Sequence, residues 1–359
     1  MIRAGQITAL YLFDIAEEID LAAVAEVLQG QPTRARFEPK SYAPAYLQYQ
    51  IAPILIDSPM LDLPEIAGCR PRVKVFDYGV ISISLSRPFA GSWDELAAAS
   101  ARVGDIEQRV EDLSQTIWRK LAPALIKGRP PDLGEDYVIF AITELTERLT
   151  ADELVTRHGR AIASILRGER VPLSAQERDE VLRHRLSYLA SDLVVPTWST
   201  AFVYDTDAGV QEALEIFELA NSQLLEFRYY DDLLNRELGR IYNELKRPHW
   251  PEWLGGGRSK RQADELHALF IDVNELTDKT ENTLKMVGDV YAARLYALVA
   301  ARLGLAQWKR SVEEKLGTLD AIYRFTVEQV QLSRANLLEL LIVLILVLEL
   351  VLIFMGVME

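Results

Sequence analysis

The chain of 359 residues has a single cysteine, Cys69, and only four histidines, His158, His184, His249 and His267. One thiol cannot close an internal disulfide, and so few imidazoles exclude a disulfide scaffold and most zinc sites built from Cys and His. Positive charge is also short, with 39 Lys and Arg against 53 Asp and Glu, a formal net charge of −14. Phosphate backbones are held by clustered Lys and Arg, so no general nucleic-acid binding is expected. Neither HExxH nor GxSxG occurs, and Cys69 in IAGCRPR has no evident His partner in sequence. RHGR at 157–160 has the charge to bind an anion, but one His among arginines reads first as helix surface. No catalytic residues, no metal site and no cofactor are expected, and the protein is not read as an enzyme.

What is present is a folded composition, 49% apolar and 26% charged, long enough for two domains. The apolar residues concentrate at the end. From Leu337 to Met358 the run LLELLIVLILVLELVLIFMGVM contains only two charges, Glu339 and Glu349, and one glycine, Gly356. As a helix it would be roughly 33 Å long, enough to cross a bilayer core. At the start, ITALYLF ends at Asp14 and lacks the small-residue cleavage pattern of a signal peptide. A single-pass C-terminal anchor is therefore expected, with the body in the cytoplasm, at a bacterial inner membrane or a mitochondrial one.

Residues 1–147 alternate in type. Ile7 to Phe13, Ala45 to Ile56 and Val73 to Leu85 have strand character, Leu21 to Leu28 is a short helix, and Tyr137 to Ile142 is a further strand. Ser92 with Glu95 forms a capping box that opens a long helix to about Leu125. The order β-α-β-β-α-β predicts an α+β, ferredoxin-like split βαβ domain with helices on one face. Residues 148–207 add helices and strands that complete the sheet.

Long helices dominate 208–336. Val210, Ala213, Phe217, Ala220, Leu224, Phe227, Asp231, Leu234, Leu238, Ile241 and Leu245 form a heptad seam broken only at Asp231, where a polar residue fixes register. A second helix is expected from Ala263 to Leu303. A third, from Trp308, carries a seam at Val312, Leu316, Leu319 and Tyr323 and meets nothing that stops it before the apolar run at 337–358. These seams fit a coiled-coil stalk that associates between chains or an antiparallel bundle within one chain.

Four stretches resemble the required-for-meiotic-nuclear-division family: VFDYGV at Val75–Val80, LLEFRYYDDLL at Leu224–Leu234, ENTLKMVGDVY at Glu281–Tyr291, and LLELLIVLILVLE ending at Glu349. Ser82 and Ser84 follow the YG pair where members of the family often carry Trp, which marks a divergent, bacterial branch. The resemblance implies a C-terminal membrane anchor, oligomeric assembly and, by analogy with mitochondrial members, support of translation at a membrane.

Two further features ask for partners. Glu349 falls near the middle of the apolar run, where a carboxylate either packs against a neighbouring chain, with Gly356 one heptad on, or serves a proton or ion path; Glu339 lies near the interface. Between the first two long helices, Lys246, Arg247, Arg258, Lys260 and Arg261 with Trp250 and Trp253 make a local basic, aromatic tip. That tip is either a solvated turn or a contact for lipid, RNA or a ribosome. The reading as a whole is a membrane-anchored homo-oligomeric scaffold presenting its α/β domain to a protein partner. An ion- or ligand-linked transport protein using Glu349 is the alternative.

Overall fold

Strand β1 (Ile2–Asp14) is buried at every position from Ile7 onward. Residues of both pleat faces are therefore covered, as in the middle of a layered sheet. The computed structural model describes residues 1–28, 33–34, 53–57, 61, 63–101, 106–245, 290–322, 324, 342–343 and 345–347. The chain divides into two compact units, Met1–Tyr229 with Asp278–Trp308, and Tyr230–Thr277 with Lys309–Glu359.

The first unit holds an eight-stranded mixed sheet in the order β3-β4-β5-β6-β1-β8-β10-β9. Its strands are β1, β3 (Thr33–Arg34), β4 (Ile54–Asp57), β5 (Arg72–Val75), β6 (Val80–Gly91), β8 (Gly134–Leu145), β9 (Leu193–Pro196) and β10 (Thr200–Tyr204). A separate pair joins β2 (Glu18–Ile19) to β7 (Leu125–Ile126). β6 and β8 both run antiparallel to β1, which lies between them. β8 and β10 are parallel. Parallel neighbours need a crossover, and α4 (Ala151–Arg167) and α5 (Ala175–Arg183) supply it.

Helices cover both faces. On one, Ile7, Ala9, Tyr11 and Phe13 share a core with Val24 of α1 (Leu21–Val27), Leu96 of α2 (Trp93–Ser100), Ile117 of α3 (Glu107–Leu121) and Ile162 of α4. On the other lies α6 (Asp207–Leu245), whose Phe217 ring stacks on Tyr137 of β8 at 5.2 Å. α7 (Val290–Leu303) packs beside it, with the Tyr296 hydroxyl donating to Gln223 of α6.

In the second unit, Leu234 near the end of α6 and Val312, Leu316 and Leu319 of α8 (305–322) are buried. Asp231 accepts hydrogen bonds from Lys315 Nζ at 2.6 Å and Ser311 Oγ at 2.7 Å. The polar break in the seam is thus answered within the chain.

Several expectations change. The domain is not ferredoxin-like with one covered face: it is a large mixed α/β sheet covered on both. The reason lies in runs such as YVIFAI, whose unbroken apolar character suits a strand buried on both sides. The stretch 73–85 is two strands, because Asp77, Tyr78 and Gly79 turn the chain. Gly79 has φ +95° there, and a Cβ would lie 2.0 Å from the carbonyl oxygen of Ala16, so only glycine fits. The capping box at Ser92 forms, but its helix ends at Ser100 and a new one starts at Glu107.

No helix among the described residues is long and apolar enough to cross a membrane. This overturns the expected transmembrane helix at 337–358, the C-terminal anchor, and the membrane localisation, bacterial or mitochondrial. Apart from 342–343 and 345–347, that run lies outside the described residues.

Candidate functional site

The strand RVKV places Lys74 on the pleat face opposite Val73 and Val75, which belong to the core under α1–α5. Lys74 therefore points toward α6, and its side chain is only 5% exposed. Two carboxylates one helical turn apart on α6 meet it: Glu215 Oε2 at 2.8 Å and Glu218 Oε2, closer still. Burial pulls the ammonium down, but the two carboxylates outweigh it and hold Lys74 above its ordinary range. It stays charged. One turn further along α6, Ser222 Oγ shares a hydrogen bond of 2.7 Å with the Tyr78 hydroxyl.

A second buried pair sits at the C-terminal end of β1. Arg129 Nε and Nη2 donate to the two oxygens of Asp14 at 3.0 and 2.5 Å, and the guanidinium lies 3.7 Å from the ring centroid of Tyr229 on α6. Nearby Arg228 pairs with Glu135 of β8. Burial pushes the Asp14 carboxyl up to about 6 against the pull of Arg129. A raised carboxyl pKa favours the folded protein at low pH. The contribution is full below the unfolded value near 3.8, declines as pH rises through about 6, and is flat above. Asp14→Asn should remove that segment of the pH–stability curve, which spans at most about 3 kcal/mol; denaturant midpoints measured from pH 4 to 7 check this. On the same strand, Tyr11 is pushed up to about 12 by burial and by Asp136 and Glu107. Tyr137 is also raised by burial, and its hydroxyl donates to the carbonyls of Thr197 and Thr200.

Lys74 is paired with Glu215 and Glu218 of α6, and Arg129 lies between Asp14 of β1 and Tyr229 of α6. Chemically the layer suits holding α6 against the sheet in one register. Among the described residues, no group of three or more His, Cys, Asp and Glu could hold a metal ion.

The family model described as "Uncharacterized protein MJ0711, N-terminal domain" matches residues 4–211, more than half of the chain. The chain belongs to that family. It is 25% identical over 241 residues to the protein named Uncharacterized protein MJ0711 of Methanocaldococcus jannaschii, covering 67% of this chain and 72% of that one. No solved structure matches. The family's domain takes in all eight strands of the large sheet, from residue 4 of β1, and Lys74, Asp14 and Arg129 with them. Membership overturns the resemblance to the required-for-meiotic-nuclear-division family. Two of its short pieces answer to a local constraint: VFDYGV is the turn from β5 into β6, and LLEFRYYDDLL is one stretch of α6. Such constraints recur in unrelated chains.

Of the residues singled out from sequence, Phe217, Leu224, Phe227 and Leu234 are buried, and Asp231, Leu238 and Ile241 are partly buried. Phe217, Leu224 and Phe227 belong to the first unit and the other four to the second, so the seam divides between them. Lys246, Arg247, Trp250, Trp253, Arg258, Lys260 and Arg261 lie outside the described residues, as do Glu339, Glu349 and Gly356. Sequence reasoning missed Lys74 with Glu215 and Glu218, and Asp14 with Arg129. One signal was available: a lysine between two valines in a strand is a charge on a pleat face, and α6 carries glutamates at the matching spacing.

Proposed function

We propose that the chain is a self-associating, non-catalytic scaffold whose α/β unit is presented to partners by an assembly formed through its C-terminal apolar run. One observation carries this reading. Ile342, Val343, Ile345, Leu346 and Val347 are each between 47% and 58% exposed in the single chain. Successive helical residues point about 100° apart, so this apolar surface runs round the helix and no single face accounts for it. Five exposed apolar side chains pointing in different directions call for a cover, and the same segment of a second copy offers one of matching character. The role is binding and not catalysis because the buried charges, Lys74 and Arg129 above all, are committed to partners that lock the fold.

Static light scattering on the full chain tests it. The unaltered protein should be a multimer, and Ile342→Asp with Leu346→Asp should shift it toward the monomer, since each carboxylate placed in an apolar contact disfavours assembly. An unchanged mass in the double variant would contradict assembly through this run.

A further inference from the structure

Helices α4 and α5 approach closely because α4 has no side chain where α5 crosses it. Gly159 is buried, and a Cβ built there would lie 3.0 Å from Leu182 Cδ1 of α5. On either side of this contact the two helices carry Arg157, Arg160, Arg178 and, just past the end of α5, Arg185. Together with Thr156 and Asp179 these line a cleft of about 650 Å³. Four guanidiniums line it against the single carboxylate of Asp179, on a protein of net charge −14.

The cations are unequally engaged. Arg157 pairs with Glu147 at 3.0 Å and Glu153 at 3.8 Å, and Arg178 with Asp179 at 2.7 Å. Among the described residues Arg185 Nη1 donates to a neutral group, the Leu182 carbonyl, at 2.8 Å, and to no carboxylate. Arg160 has no ion pair or hydrogen bond among the described residues. Two guanidiniums without a carboxylate thus face one cleft, and a planar fork of N–H donors is the group that best matches phosphate oxygens.

A second groove of about 680 Å³ adjoins it and shares Arg160 and Arg178. Its wall is largely apolar, with Trp93, Ala97, Pro172 and Leu173, and it adds one further guanidinium, Arg170, and the carboxylates of Asp94 and Glu169. Those carboxylates offset two of the three guanidiniums that line this half and accept hydrogen bonds from hydroxyl or amino groups. The neighbouring grooves therefore differ in degree: one is lined mainly by guanidiniums, the other has a largely apolar wall on which charges of both signs nearly balance. Volumes of this size suit small-molecule ligands.

We infer that α4 and α5 form a binding site for a nucleoside polyphosphate, with phosphates on Arg160 and Arg185 and the nucleoside in the groove beside Trp93. The site does not depend on self-assembly, and either can fail while the other stands.

Calorimetric titration of the full chain at low salt with ATP, inorganic tripolyphosphate and adenosine tests this. ATP should bind the parent, tripolyphosphate more weakly, and adenosine weakest. Arg160→Glu with Arg185→Glu should weaken ATP by tenfold or more, the loss expected for even one charge-assisted contact. Arg183→Glu, on the same helix but paired with Glu180 and outside the cleft, should change it less than about twofold. Absence of ATP binding at about 1 mM, the weak end of specific affinity, overturns the site. Equal binding by parent and double variant also overturns it. Tripolyphosphate binding as tightly as ATP overturns the nucleoside half.

Discussion

Lys74→Met is expected to destabilise the α/β unit by about 3–5 kcal/mol, because it leaves two carboxylates facing an apolar side chain with their counter-charge gone. The geometry sets the size of the effect. Glu218 is 9% and Glu215 29% exposed at the side chain, so water can relieve Glu215 in part and Glu218 hardly at all. Adding Glu215→Gln and Glu218→Gln to Lys74→Met should recover much of the loss, since an amide costs less to bury than an ion. Urea midpoints for the single and triple variants, at unchanged slope, give the comparison. A single variant within about 1 kcal/mol of the parent would mean that α6 is held by its apolar contacts alone, at the level of an exposed pair.

Phe217→Ala is expected to cost about 3–5 kcal/mol, the range for emptying a large aromatic site in a packed core. Phe217 is fully buried, and its ring stacks on Tyr137, which is itself fully buried with its hydroxyl tied to the Thr197 and Thr200 carbonyls. A partner anchored at both ends cannot collapse into the vacancy. Leu238→Ala provides the contrast on the same helix. It sits on the same heptad seam but is only partly buried, so its loss should stay near or below about 1 kcal/mol. Similar costs at the two positions would instead describe a uniform rod, with the heptad pattern alone setting the energetics.

That contrast also shows what the sequence held. Periodicity located α6 along its length and the inner part of β1 from its strand formers. It could not say what α6 packs on. A heptad seam and a helix laid across a sheet bury the same stripe, and only the partner tells them apart. The two covered faces were legible in principle from YVIFAI and ALYLF, which are apolar without alternation. The ion pairs were not legible, because Lys74 and Glu218 are 144 residues apart and Asp14 and Arg129 115. Nothing local marks such partners. The arginine cleft was half visible as RHGR, but α5 had to be placed before Arg178 and Arg185 could join Arg160.

Self-association is the central claim, and sedimentation equilibrium of the full chain over a range of concentrations tests it most directly. The account predicts a mass that is a multiple of 40.6 kDa, falling toward the single-chain value on dilution. A mass of 40.6 kDa at every concentration would contradict it.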